Sequence, residues 1–191
     1  MLDPDRQVSV LGTRCAEATP WSSRPRRGRQ RRHAVEELPP MRFLDWTVDG
    51  EPVRDWFAVK GFKRFEITWM VEGSPKRDLM ISENRDRPMV DASLMALLPD
   101  CGLPLDRDVH FNDGRVAILY CDACGELSCG ALTAEVRATD STVQWRNLTY
   151  QDATSGEFWP DMPRRDVTFE RSAYEATVRG LLTEWERRDH E

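Results

Sequence analysis

Two turn signals, Asn112-Asp113-Gly114 and Thr139-Asp140-Ser141, constrain this chain more than any other feature, because each sits between runs of strand-forming residues. "LDRDVHF" (105–111) and "RVAILYC" (115–121) flank the first; "ALTAEVRA" (131–138) and "TVQWRNLTY" (142–150) flank the second. Asn-Asp-Gly supplies the positive-φ positions that tight hairpins demand, and apolar runs on both sides favour antiparallel pairing. Hairpins in chain order restrict the fold to an antiparallel sheet at its centre.

The rest of the pattern adds helices. "RFLDWTV" (42–48) alternates as a strand does, with Asp49-Gly50 as its turn. "PVRDWFAVKG" (52–61) follows with Val53, Trp56, Phe57 and Lys60 at helical spacing. "RFEITWMV" (64–71) sets Phe65, Ile67, Trp69 and Val71 on one face, with "LMIS" (79–82) as its returning partner. "VDASLMALLPD" reads as a short helix capped by Asp91 and stopped by Pro99. "DVTF" (166–169) is a last short strand. The closing "SAYEATVRGLLTEWERRDH" carries an apolar stripe of Tyr174, Val178, Leu181, Leu182 and Trp185, with Ser172 and Glu175 at capping-box spacing. The expectation is an α+β fold: a mostly antiparallel sheet of hairpins, two short helices and a C-terminal amphipathic helix.

Residues 1–40 break the pattern. They hold eight Arg against five Asp and Glu, so they carry +3 of a chain whose net charge is −6, and "SSRPRRGRQRRH" is aperiodic. This composition predicts a disordered basic N-terminal extension. Met41 opens "MRFLDWTVDG", which reads as the start of a domain, so the first 40 residues also fit a start-site artefact, with 41–191 as one α+β domain. The remaining residues are acidic. Nucleic-acid binding needs basic surface, which leaves only the Arg-rich tail for that role.

No apolar run approaches the roughly 20 residues of a membrane span. No secretory signal is evident either, which points to the cytoplasm, where thiols stay reduced. There, clustered cysteines more often mark metal or redox sites than disulfides. Cys121, Cys124 and Cys129 fall in "LYCDACGELSCG" (119–130), the connection between two predicted strands. Cys-x-x-Cys-Gly lets two thiolates face one ion, and Cys129-Gly130 repeats half of that arrangement. Structural zinc takes four ligands, and only three are local. With Asp113-Gly114 as the hairpin tip, His110 lies opposite Ala117, about 13 Å along the strand from Cys121. Asp106 then falls opposite Cys121, with Cys101 just beyond it. Cys101 or Asp106 is therefore the expected fourth ligand, ahead of His110.

The competing functional reading is a thiol-dependent enzyme or redox sensor using Cys121 or Cys124, although the Gly and strand that follow are unlike a thioredoxin context. Three half-buried thiols in a turn, with no ligand, are the bland alternative. "DRDVHFNDG" lacks the Gly that a calcium loop needs at its sixth position. Trp46, Trp56, Trp69, Trp145 and Trp185 sit on apolar faces and read as core. Trp159, in the polar loop 151–163, is the candidate partner contact.

The segment from Gly114 to Val178 resembles a family of small bacterial proteins, commonest in actinobacteria, for which no activity is established. The shared pattern is Tyr-x-Cys-x-x-Cys-Gly-x-x-x-Cys-Gly-Ala, then Val-x-Trp, then Phe-x-Phe-x-x-x-x-Tyr. It maps onto Tyr120, Cys121, Cys124, Gly125, Cys129, Gly130, Ala131, Val143, Trp145, Phe169 and Tyr174. Tyr120 directly precedes Cys121, one position off, and Val167 stands where the pattern has its first Phe. The resemblance implies a cytoplasmic bacterial protein and no particular activity. The expected function is a non-enzymatic binding or accessory module for a protein or small-molecule partner, with structural zinc as the only cofactor suggested.

Overall fold

A computed structural model describes residues 8–18, 41–57, 86–102, 109–120, 127, 130–152, 155–158 and 162–188, except for the side chains of 17–18, 41–44, 86–90 and 185–188. The predicted strands at 64–71 and 79–82 lie outside these residues, with Trp69. The fold is α+β, with two antiparallel sheets. One contains β1 (Leu11–Ala18), β2 (Met41–Val48) and β3 (Glu51–Pro52) in that order. The other contains β4 (Val116–Leu119), β5 (Ala131–Ala138), β6 (Thr142–Gln151) and β7 (Arg165–Glu170), each paired with the next in the chain. Helix α1 spans Asp86–Ala96 and α2 spans Arg171–Arg188. No helix among the described residues is long and apolar enough to cross a membrane.

Residues 8–18 depart from the expected disordered extension, and 1–7 and 19–40 lie outside the described residues. Residues 11–18 are β1, which pairs with β2 in full register from Leu11↔Val48 to Ala18↔Met41. Ser9 makes a parallel bridge to Phe169, and its amide donates to the Thr168 carbonyl at 2.8 Å. The apolar run "VSVLGTRCA" precedes the Arg-rich one and places Leu11 in the core, 5% exposed. Arg14 stands opposite Asp45, and its charge is used: Asp45 is fully buried and accepts from Arg54 at 2.8 Å and Arg14 at 3.3 Å. Asp45 to Val48 are all buried, so both faces are covered at this end of β2, and two guanidiniums meet the carboxylate at Oδ2.

Other differences are local. Within the predicted helix at 52–61, Val53–Phe57 form a 3-10 turn, and 58–61 lie outside the described residues. Helix α1 begins at Asp86, five residues before the expected cap, with Pro88 in the first turn where no amide bond is lost. Helix α2 is capped from β7: the Glu170 carboxylate accepts from the amides of Ser172 at 3.0 Å and Ala173 at 2.7 Å, and from the Ser172 hydroxyl. Ser172 therefore lies inside the first turn. Glu175 pairs with Arg171 at 2.7 Å instead of closing a capping box.

The core lies between the helices and one face of the four-stranded sheet. Val143, Trp145 and Phe169 point into it and meet Tyr174 and Val178 of α2. Trp145 stands edge-on to Phe169 (centroids 5.1 Å apart), to Tyr174 (6.2 Å) and to Trp46 of the other sheet (6.4 Å). These contacts tie the two sheets to α2. Edge-to-face geometry adds about 1 kcal/mol per pair to the area term. The expected core roles of Trp46 and Trp145 are met, and Trp56 packs against the core at its margin.

Candidate functional site

The face of the four-stranded sheet turned away from the helices carries buried polar side chains. Thr133 and Thr149 pair across β5 and β6, as do Ala131 and Gln151, so Thr133, Thr149 and Gln151 share that face. All three are at most 2% exposed, and Arg115, just before β4, is 3% exposed. Burial of such groups is tolerable only when they bond to one another.

They do so in a closed ring. Arg115 Nε donates to Thr133 Oγ1 at 2.9 Å. Thr133 Oγ1 donates to Gln151 Oε1 at 3.1 Å. Gln151 Nε2 donates to Asp113 Oδ2 at 2.9 Å, and Asp113 Oδ1 accepts from the Arg115 amide at 3.1 Å. The hairpin turn builds the start of the ring. The Phe111 amide bonds the Arg115 carbonyl, the Gly114 amide bonds the Phe111 carbonyl, and Gly114 takes φ +80°, as in a three-residue loop with a left-handed third position.

A break in the sheet supplies the rest. Register shifts occur between Thr133 and Glu135 in β5 and between Trp145 and Leu148 in β6, and Asn147 takes φ +51°. The bulge moves the core-facing set of β6 from Val143 and Trp145 to Leu148 and Tyr150. It also turns the Asn147 carbonyl to Arg115 Nη2, which lies 2.5 Å away and reaches the Thr133 carbonyl at 2.7 Å. The Asn147 amide is held by Asp166 of β7 at 2.7 Å. One guanidinium thus joins the β4 entry, β5 and β6.

A cleft of about 190 Å³ opens above this network, lined by Asp113, Arg115, Glu135, Asn147, Thr149, Phe158 and Arg164. Phe158 is brought there by a bridge to Gln151, and both Arg115 and Arg164 stack on its ring, 4.9 and 5.1 Å from the centroid. Glu135 lies 3.8 Å from Arg115 and 3.3 Å from Arg137. Burial pushes the Arg115 pKa below its ordinary value, Asp113 and Glu135 pull it back up, and Arg164 pushes it down. An arginine so placed stays charged. One group is left over: Thr149 is 1% exposed, and its Oγ1 has no hydrogen-bond partner among the described residues.

The residues singled out from sequence fall elsewhere. Cys121, Cys124, Cys129, Asp106 and Trp159 lie outside the described residues. The two strands that hold the cysteine segment are described: Leu119 of β4 pairs with Leu132 of β5, so 120–130 is a connection between neighbouring strands. Cys101 is exposed in the turn after α1. Its neighbour Asp100 bonds Arg171, which also donates to the Thr139 carbonyl at the β5–β6 turn. Cys101 therefore sits by the end of β5 far from Ala131, and eight residues of strand span about 23 Å. His110 bridges to Val116, one residue short of the expected Ala117, because the turn loop holds three residues. Among the described residues no three His, Cys, Asp or Glu side chains gather as a metal site.

The cleft was missed because its residues look ordinary in the sequence. Thr133 and Glu135, and Thr149 and Gln151, alternate with apolar neighbours and read as the solvated side of two strands. The usable signal was an arginine directly after the Asn-Asp-Gly turn, where a strand's buried face begins. No family model, curated protein or solved structure matches the chain.

Proposed function

We propose that this chain is a binding module whose ligand site is the cleft on the polar face of the four-stranded sheet. The observation that carries this reading is the unpartnered Thr149 hydroxyl, buried in a wall where the neighbouring buried polar groups Arg115, Thr133 and Gln151 are satisfied. A buried hydroxyl without a partner costs about 1–3 kcal/mol, which a bound polar molecule would recover. The surrounding network supports holding over proton transfer. Its donors and acceptors are locked to one another, which gives a rigid wall for recognition. The test is a fragment screen of the full chain by amide-resolved NMR, using small neutral, anionic and cationic compounds. Saturable shifts centred on Thr133, Asn147, Thr149 and Phe158 are expected. Fragments that leave those amides unmoved while shifting another region would overturn the reading.

A second reading concerns the cysteine segment. The pairing of Leu119 with Leu132 brings the ends of the 120–130 connection side by side, and the Gly130 amide bonds the Leu127 carbonyl at 2.7 Å with Gly130 at φ +84°. A short loop closed at both ends favours a zinc knuckle of Cys121, Cys124 and Cys129, and the placement of Cys101 favours Asp106 as the fourth ligand. Metal analysis of untagged protein tests it: one zinc per chain, lost in Cys124→Ser, is expected. Metal-free protein in which one thiol alkylates fast at neutral pH would instead support a thiol-dependent enzyme or redox sensor.

A further inference from the structure

We propose that the cleft takes a small monocarboxylate, bound by Arg164, Asn147 and Thr149; this rests on the cleft being a binding site at all. Most of the charged groups in the cleft are already used. Both Asp113 oxygens accept hydrogen bonds, from the Arg115 amide and from Gln151. Glu135 faces Arg115 and Arg137. Arg115 spends Nε and Nη2 on Thr133 and Asn147.

What remains is donor-rich. The Arg164 guanidinium stacks on Phe158 and makes no ion pair among the described residues. Thr149 Oγ1 has no partner. Asn147 spends its backbone amide and carbonyl on Asp166 and Arg115, and its carboxamide has no hydrogen bond among the described residues. A cation, a hydroxyl and an amide around one cleft match a carboxylate, whose oxygens accept several N–H and O–H bonds at once.

Charge and size narrow the class. Asp113 and Glu135 also line the cleft, so a dianion such as phosphate would meet two carboxylates with one uncommitted guanidinium to offset them. A monoanion balances Arg164 alone. A volume of about 190 Å³ equals roughly six water volumes, which suits an acid of few heavy atoms.

The experiment titrates the full chain with sodium propionate, propionamide, propylammonium chloride and inorganic phosphate at constant ionic strength, reading the amides of Asn147 and Thr149 by NMR. Propionate is expected to saturate, with propionamide and propylammonium at least tenfold weaker. Arg164→Gln is expected to weaken propionate at least tenfold without changing the fold, since the side chain is exposed. Thr149→Ser retains the hydroxyl and is expected to bind, which separates a lost contact from a damaged wall. Tighter binding of propionamide, propylammonium or phosphate than of propionate would overturn the carboxylate assignment and leave the cleft a binding site. Failure of all four probes to move these amides would likewise overturn the carboxylate assignment, while the broader fragment screen decides whether the cleft binds at all.

Discussion

The Tyr174 hydroxyl accepts a hydrogen bond from Trp145 Nε1 and donates one to the Leu97 carbonyl, each at 3.0 Å. This one oxygen ties α2, β6 and the turn after α1 at the centre of the core, where Tyr174 and Trp145 are at most 1% exposed. Tyr174→Phe keeps the ring but leaves an indole N–H and a carbonyl buried without partners. The expected cost is about 2–4 kcal/mol, read from urea unfolding midpoints. An unchanged midpoint would mean that water reaches both groups. Burial also raises the Tyr174 pKa above the ordinary phenol value. The unfolded chain therefore loses this proton first, and stability falls as pH rises above about 10, a fall that Tyr174→Phe removes.

Gly130 has no room for a side chain. A Cβ there would collide with the Tyr150 hydroxyl and ring, and its φ of +84° is a conformation that L residues rarely adopt. Gly130→Ala is expected to destabilise by at least about 2 kcal/mol and to disturb the β4–β5 connection. Gly180→Ala, a helical position with open space around it, is the control and should be neutral or slightly stabilising. Thermal melts of the two variants check the contrast.

These positions show what could be read from sequence. The turn at 139–141 and the alternation around it gave the β5–β6 hairpin, because turn chemistry and strand period are local properties. Trp145 and Tyr174 were assigned to apolar faces correctly, yet the hydrogen bond between them depends on how α2 lies across the sheet, which no local pattern encodes. Arg115, Thr133 and Gln151 could not be singled out for the same reason: an alternating polar residue looks solvated until another segment covers it. β1 failed differently. Composition averaged over residues 1–40 hid a short apolar run beside an arginine-rich one.

The Glu170 cap gives α2 a dependence on acid. Its pKa lies below the ordinary carboxylate value, chiefly through the Ser172 hydroxyl and then the amides of Ala173 and Ser172. In the window between the folded and unfolded values the unfolded chain binds more protons. The contribution is therefore fully present above the ordinary carboxylate pKa and disappears as pH falls through the lower, folded one. Glu170→Gln should lower the melting temperature at pH 7, and the gap to the wild type should close in acid. A gap independent of pH would show that the carboxylate's charge is not what caps the helix.

β1 should be indispensable to the fold, against the reading of Met41 as a sufficient start. A chain beginning at Met41 loses Leu11 from the core, the Arg14 partner of buried Asp45 and the Ser9 bridge to β7. It also leaves β2 as an open edge, a template for pairing with other chains. Burial of one leucine is worth about 2 kcal/mol, and eight cross-strand pairs add to it. The truncated chain is expected to unfold well below the full one and to self-associate in size-exclusion chromatography. Gly12→Val probes the same contact by a single change, since a Cβ at Gly12 would stand 2.9 Å from Thr47 Oγ1 and force β1 away from β2. If the truncated chain melts with the full chain and stays monomeric, the pairing of β1 with β2 contributes nothing to stability. If Gly12→Val alone is neutral, Thr47 can turn aside, and the weight of the strand rests on Leu11 and Arg14.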